Sequence, residues 1–210
     1  LNDDFVNYRA DGDESGLDSF TYLIVTEDNV RSTAEVTISL GTQREDSKVA
    51  YDFALVDTNG NPISDIEVGD QFGVQVIAED LRSFLENPSF VFAGYLDLLY
   101  DADKIQPANT DLSDSLDFDV DFHGDYSADG AVGSAAVPGI IDEFGTFLAG
   151  TSGDNPALIA TVYFNAIGAG SVSLVGSPTD ASPFQDTLLF GSDDPVDRSL
   201  LRFKIGRAHV

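Results

Sequence analysis

The sequence contains two histidines, and only His123, beside Gly124 and Asp125, stands where acid–base chemistry would be sought. A nucleophilic mechanism needs a Ser or Cys within reach of such a base. The chain has no Cys, no G-x-S-x-G turn and no obvious partner Ser, so His123 reads as a loop residue. Paired carboxylates carry no signal. A glycosidase needs only two, about 5–9.5 Å apart, and with 37 acidic residues any fold brings some pair to that spacing. The absence of Trp to line a sugar cleft argues further against hydrolysis. Gly168-Ala-Gly170 lacks the third glycine of a dinucleotide loop and sits between two strand-like segments.

Calcium is the better use for these acids, because hard cations collect several carboxylate and carbonyl oxygens. Asp57, Asn59 and Asn61 have the D-x-N-x-N spacing of a calcium loop. Pro62 replaces the glycine such a loop requires, and Val68 stands where its bidentate Glu belongs. An ordinary turn is therefore favoured there. Asp11, Asp13, Glu14 and Asp18 form a second acidic cluster. No cofactor is required by the sequence, and Ca²⁺ is the ion weighed for these two acidic loops.

Charge sets the outer limits on function. The net charge of −27 excludes nucleic acid and anionic membrane surfaces as partners, since both need clustered Lys and Arg. It suits a solvated surface in salty surroundings. Without Cys there are neither disulfides nor thiolate metal sites, which fits an extracellular protein. The most apolar long stretch, 157–175, is broken by Thr161, Asn165, Gly168, Gly170, Ser171 and Ser173, so membrane insertion is not expected. A chain opening on Leu1 is expected to be part of a longer one. The final Ile205-Gly-Arg-Ala-His-Val210 translates ATC GGA AGA GCA CAC GTC, a string found in a common sequencing adapter. Residues 204–210 are accordingly expected to be a read-through artefact and are set aside from the fold.

The elements that must position any site are strands. Phe20-Thr-Tyr-Leu-Ile-Val-Thr26 and Thr33-Ala-Glu-Val-Thr-Ile-Ser-Leu40 are rich in β-branched and aromatic residues and read as a hairpin around the turn 27–31. Polar residues 42–48 form a linker. A second series follows at 49–56, 72–78, 90–100, 116–122, 157–165, 171–175, 187–190 and 200–203, with short helical turns possible only at 80–86 and 101–105. Many short strands separated by Gly, Asn, Asp and Pro predict an all-β sandwich or jelly roll over 49–203.

The segment 90–100 offers the clearest recognition surface. Phe90, Phe92, Leu96, Leu98 and Tyr100 share one face with Gly94, and this face is expected to be core. Val91, Ala93, Tyr95, Asp97 and Leu99 share the other, which is unusually apolar for a wet face. Apolar patches rimmed by polar groups mark interaction sites. Tyr95, Asp97 and Leu99 are the candidate partner-binding residues.

Two family resemblances follow from these segments. Gly16-Leu-Asp-Ser-Phe-Thr-Tyr22, followed by Ser32-Thr-Ala-Glu-Val-Thr-Ile38, resembles the closing strands of bacterial cadherin-like tandem repeats, so residues 1–41 look like the C-terminal half of an Ig/cadherin-like sandwich. Residues 49–203 resemble a cohesin-like domain, of the superfamily shared with cellulose-binding β-sandwiches. The matching segments are Ile66-Glu-Val-Gly-Asp-Gln-Phe-Gly-Val-Gln-Val76, Phe92-Ala-Gly-Tyr-Leu-Asp-Leu-Leu-Tyr-Asp101 and Leu158-Ile-Ala-Thr-Val-Tyr-Phe-Asn-Ala166 with Gly170-Ser-Val-Ser-Leu174. The stretch 106–139 and the C-terminal end depart from the pattern. The resemblance implies an extracellular, non-catalytic module that binds a dockerin-type protein on a flat sheet face. Polysaccharide binding, kept open by seven Tyr, and a calcium-stiffened adhesive spacer are the alternatives.

Overall fold

The computed structural model describes residues 16–25, 31–40, 47–82, 89–110, 116–181 and 185–210. The chain divides into two units, Leu1–Asp46 and Ser47–Val210. In the first, β1 (Gly16–Val25) and β2 (Arg31–Leu40) pair antiparallel from Gly16 opposite Leu40 to Val25 opposite Arg31. This is the expected hairpin. Asp11, Asp13 and Glu14 lie outside the described residues, as do 27–30, most of the linker and 83–86 of the expected helical turn at 80–86.

The second unit is two packed sheets. One has the order β13-β3-β4-β10-β6, with β7 also on β10; the other is β14-β11-β5-β9-β8, with β12 also on β5. The first is built from β3 (Val49–Val56), β4 (Gln71–Asp80), β6 (Ile105–Pro107), β7 (Val120–Phe122), β10 (Ala157–Ala166) and β13 (Leu201–Phe203). The second uses β5 (Val91–Tyr100), β8 (Val132–Ser134), β9 (Ile140–Phe147), β11 (Ser171–Ser177), β12 (Leu188–Leu189) and β14 (Ile205–His209). Neighbouring strands are antiparallel except β13, which runs parallel to β3.

Alternation decides which residues fill the space between the sheets. On β4, Phe72, Val74, Val76 and Ala78 point inward and are buried, while Gln71, Gln75 and Glu79 on the other face are only partly covered. Tyr51, Phe90, Phe118, Phe144 and Phe164 complete an aromatic-rich core, with Tyr51 stacked on Phe203 and Phe118 edge-on to Phe144. The inner face of β5 is the one expected: Leu96 and Leu98 are fully buried and Tyr100 meets Phe164 edge-on. Two glycines permit close approach, Gly94 of β5 to the facing sheet and Gly145 of β9 to β5. A Cβ on Gly94 would lie 2.4 Å from Ile159 Cδ1, and one on Gly145 would lie 2.1 Å from the Gly94 carbonyl oxygen.

Three expectations need correction, and one turn holds. Only Val120–Phe122 of the segment 116–122 is a strand, because the Asp119 carboxylate takes the Thr110 N–H at 2.8 Å and Phe118 turns into the core. The short turn expected at 101–105 is present, closed by the Lys104 and Ile105 N–H groups on the Asp101 carbonyl. Strands β8 and β9 occupy a stretch for which the sequence predicts none. Finally, residues 204–210 extend the fold past 203. The chain crosses between sheets at Lys204, whose N–H donates to the Tyr51 carbonyl at 2.9 Å, and β14 then pairs with β11. Gly206, Ala208 and Val210 face inward while Ile205, Arg207 and His209 face out. An open strand edge accepts any short segment with that alternation, whatever its coding origin.

Candidate functional site

The outer face of the β14-β11-β5-β9-β8 sheet carries two adjacent rows of different chemistry. Ile205 lies opposite Val175, Val175 opposite Leu99, and Leu99 opposite Ile140. Directly opposed residues point to the same side, so four aliphatic side chains from four strands form one continuous row. Ile205 is 52%, Val175 38% and Leu99 39% exposed, and Ile140 is half-buried. Two residues along, Ser177 lies opposite Asp97, and Asp97 neighbours Asp142 and Glu143 across β9.

Of the three candidate binding residues, only Leu99 lies open. The expectation of an open face fails at Tyr95, 8% exposed, and at Asp97, 7% exposed. Tyr95 lies under the 3₁₀ turn Ala128–Gly130 and directs its hydroxyl at the Gly130 carbonyl, 3.5 Å away. Burial pushes its phenol above the usual range. Asp97 is covered because β9 carries a bulge: Leu96 pairs with Phe144 but Leu98 with Ile141, so two residues of β9 oppose one of β5. At the bulge Glu143 takes the left-handed conformation, φ 55°.

This bulge gathers charge. Carboxylate oxygens of Asp97, Asp142 and Glu143 all lie within 4.8 Å of one another. Asp97 Oδ1 accepts the Glu143 N–H at 3.0 Å, and Oδ2 accepts the Ser177 hydroxyl at 3.5 Å. Glu143 Oε1 accepts two N–H groups, from Asp180 at 2.9 Å and Ala181 at 2.8 Å. Its Oε2 is buried and has no hydrogen-bond partner among the described residues. Burial holds the Asp97 carboxyl above its ordinary value, with Asp142 and Asp180 adding repulsion. Glu143 is likewise raised, first by burial and then by neighbours that include Asp97.

Two other concavities carry polar side chains. His123, Asp125, Tyr126, Ser152 and Asp154 line an open-sided groove of about 340 Å³. Here the one histidine of the sequence reading does meet acids. Its Nε2, however, is 2.8 Å from the hydroxyl of Thr161, which is buried, and among the described residues no hydrogen bond joins His123 to Ser152. The His123 ring is thereby engaged by a buried threonine hydroxyl. On the opposite sheet, Thr58, Gln71, Thr110, Asp121 and Tyr163 line a second groove, of about 270 Å³, in which the Tyr163 hydroxyl donates to Asp121 at 2.7 Å. Tyr51, Tyr95, Tyr100 and Tyr126 are all buried, so Tyr163 alone among the described tyrosine side chains reaches the surface.

Asp57 behaves as a turn residue. Its Oδ1 accepts the N–H groups of Asn59 and Asn61, both at 2.8 Å, and Oδ2 accepts the Asn61 side-chain amide at 2.9 Å. Gly60 takes φ 84° within that turn. The Asn61 side-chain bond, with the backbone bonds behind it, holds the Asp57 carboxyl below its ordinary value. No helix among the described residues is long and apolar enough to cross a membrane.

No protein-family model and no curated protein matches the sequence. Solved structures do match the fold. A cohesin module of a family 33 glycoside hydrolase from Clostridium perfringens aligns over 78% of this chain and 96% of its own, with TM-score 0.51 and 11% identity. A type II cohesin domain from the cellulosome of Acetivibrio cellulolyticus covers 77% and 95%, at TM-score 0.46 and 12% identity. A second type II cohesin module, from a scaffoldin of the same organism, covers 79% and 98%, at TM-score 0.49 and 13% identity. At such identities the likeness is one of fold: a cohesin-like β-sandwich.

Proposed function

We propose that this cohesin-like β-sandwich is a non-catalytic, extracellular protein-binding module whose partner, of dockerin type, docks on the outer face of the β14-β11-β5-β9-β8 sheet. The observation that carries this reading is the row Val175, Leu99 and Ile140, which takes nothing from residues 204–210. Strands lie about 4.8 Å apart, so these three make a strip about 10 Å wide between outer strand axes. That matches an α-helix with its side chains, about 10–12 Å across. A flat strip bordered by serines and acids offers area to a partner helix and no enclosed space for a reacting substrate.

Calorimetric titration against a panel of dockerin modules, run beside a polysaccharide panel, tests the reading. Saturable 1:1 binding to at least one dockerin supports it. Binding to polysaccharide alone would replace it with the carbohydrate reading, for which Tyr163 and its polar groove on the opposite sheet are the available platform.

A further inference from the structure

The sheet opposite the docking face carries one aromatic ring set among neutral hydrogen-bonding groups. We propose that the outer face of β4, β10 and β7 binds a neutral sugar, one pyranose ring stacking on Tyr163 in the groove that Thr58, Gln71, Thr110 and Asp121 line. This function is separate from partner docking and operates beside it.

Register places the groups. Tyr163 lies opposite Gly73, so no side chain of β4 stands against that flank of the ring. A Cβ on Gly73 would come within 2.7 Å of Thr161 Cγ2 and 3.5 Å of Tyr163 Cε1. Two residues along, Gln71 lies opposite Asn165 and Asn165 opposite Gln106. Two residues the other way, Gln75 lies opposite Thr161 and Thr161 opposite Asp121. Opposed residues, and residues two apart, share a face. The ring thus stands between two polar rows that together hold four carboxamides.

Those groups select the ligand. A carboxamide both donates and accepts, which matches sugar hydroxyls that do the same. Among the described residues no side chain engages Gln71, Gln75, Gln106 or Asn165. Asp121 is already aimed, because the Tyr163 hydroxyl donates to its Oδ2 at 2.7 Å. Burial, and then Asp121, push that phenol up to about 12, so it remains a donor at neutral pH. Asp119 and Asp121 repel an anionic sugar.

The groove is also built in advance. Asp57 pins the turn that carries Thr58 by accepting the Asn59 and Asn61 N–H groups. The Asp119 carboxylate likewise takes both the N–H and the hydroxyl of Thr110. Walls fixed before binding spare the cost of ordering them. The volume of about 270 Å³ falls just below that of drug-sized sites, which suits a single ring. A proline-rich peptide fits less well, since its grooves are lined by several aromatics and Tyr163 is the one surface tyrosine side chain described. An added strand has no edge here, because β4 and β10 are interior strands.

The experiment titrates methyl β-glucoside, cellobiose and maltose into the ¹⁵N-labelled chain, with methyl β-glucuronide as the anionic control and a polyproline peptide as the rival ligand. Expected are saturable amide shifts at 71–75, 119–121 and 163–165 with at least one neutral sugar, at a millimolar Kd given so small a ligand. Binding should weaken about tenfold in Tyr163→Ala, which removes the stack, and about tenfold in Asp121→Asn, which keeps the shape. Tyr163→Phe, which keeps the ring, should lose less than either. No saturable shift with any neutral sugar overturns the proposal, as does glucuronide or polyproline binding at least as tightly. Unchanged sugar affinity in both Tyr163→Ala and Asp121→Asn overturns it too. Dockerin affinity is expected to be unaltered in Tyr163→Ala; its loss would put the protein partner on this sheet and strike the proposal.

Discussion

Replacing Leu99 and Val175 together by Ala should weaken partner binding far more than any change on the opposite sheet. The two side chains are 39% and 38% exposed, so docking can newly remove only about two-fifths of each from water. Full burial of an aliphatic side chain is worth about 1.5–3 kcal/mol. Two-fifths of that is about 1 kcal/mol per site, or about 2 kcal/mol together, which is roughly thirtyfold in Kd. The buried remainder of each side chain supports the fold, so the double variant should also lose about 1–2 kcal/mol of stability. Val175→Thr, which keeps the shape, separates the two effects by weakening binding with little change in melting. Gln75→Ala on β4, in the other sheet, is the control and should leave Kd unchanged. Titration calorimetry with a bound dockerin, beside thermal melting of each variant, reads both quantities. If the double variant binds within twofold of the parent while remaining folded, the row is not the contact surface and the reasoning from register to function is wrong.

Stability should respond to pH through the acidic bulge. Asp97 and Glu143 titrate above their ordinary values because burial, and then neighbouring carboxylates, disfavour their charged forms. The folded chain thus holds these protons to higher pH than the unfolded chain, and stability falls as pH rises through that window. Lowering the pH from neutral into the range where these carboxyls take up protons should raise Tm, and the slope should flatten in Asp97→Asn; an unchanged slope refutes the assignment. Gly145→Ala drives a Cβ to within 2.1 Å of the Gly94 carbonyl oxygen, so it should cost about 1–3 kcal/mol or more in a denaturant titration. A chain ending at Lys204 removes β14 and uncovers the edge of β11, and sedimentation should detect self-association through that edge.

Strand existence was legible in most segments of unbroken alternation, the exception being 116–122, where only Val120–Phe122 is a strand. Val172, Leu174 and Gly176 alternate with serines on β11, and the inner face of β5 was read correctly down to Leu96 and Leu98. β9 was not, because its bulge changes parity: Ile141 and Phe144 are both buried although three residues apart, and no strict period of two connects them. Alternation also names a side without saying what lies over it. The turn 128–130 that covers Tyr95 and the N–H groups of Asp180 and Ala181 that hold Glu143 come from remote parts of the chain. The apolar row depends on register, which sequence leaves open, yet one sign of it was present. Val175 is the single apolar residue among the outward serines of Ser171–Ser177. An aliphatic residue on an otherwise wet face marks a surface awaiting contact.

The docking face itself is tested most directly by amide hydrogen exchange on the module, free and saturated with a dockerin module. The account predicts slowed exchange concentrated on β5, β9 and β11 around Leu99, Ile140 and Val175, with Asp97 and Glu143 included. Protection centred instead on the His123 groove or on Tyr163 and its sheet would contradict it.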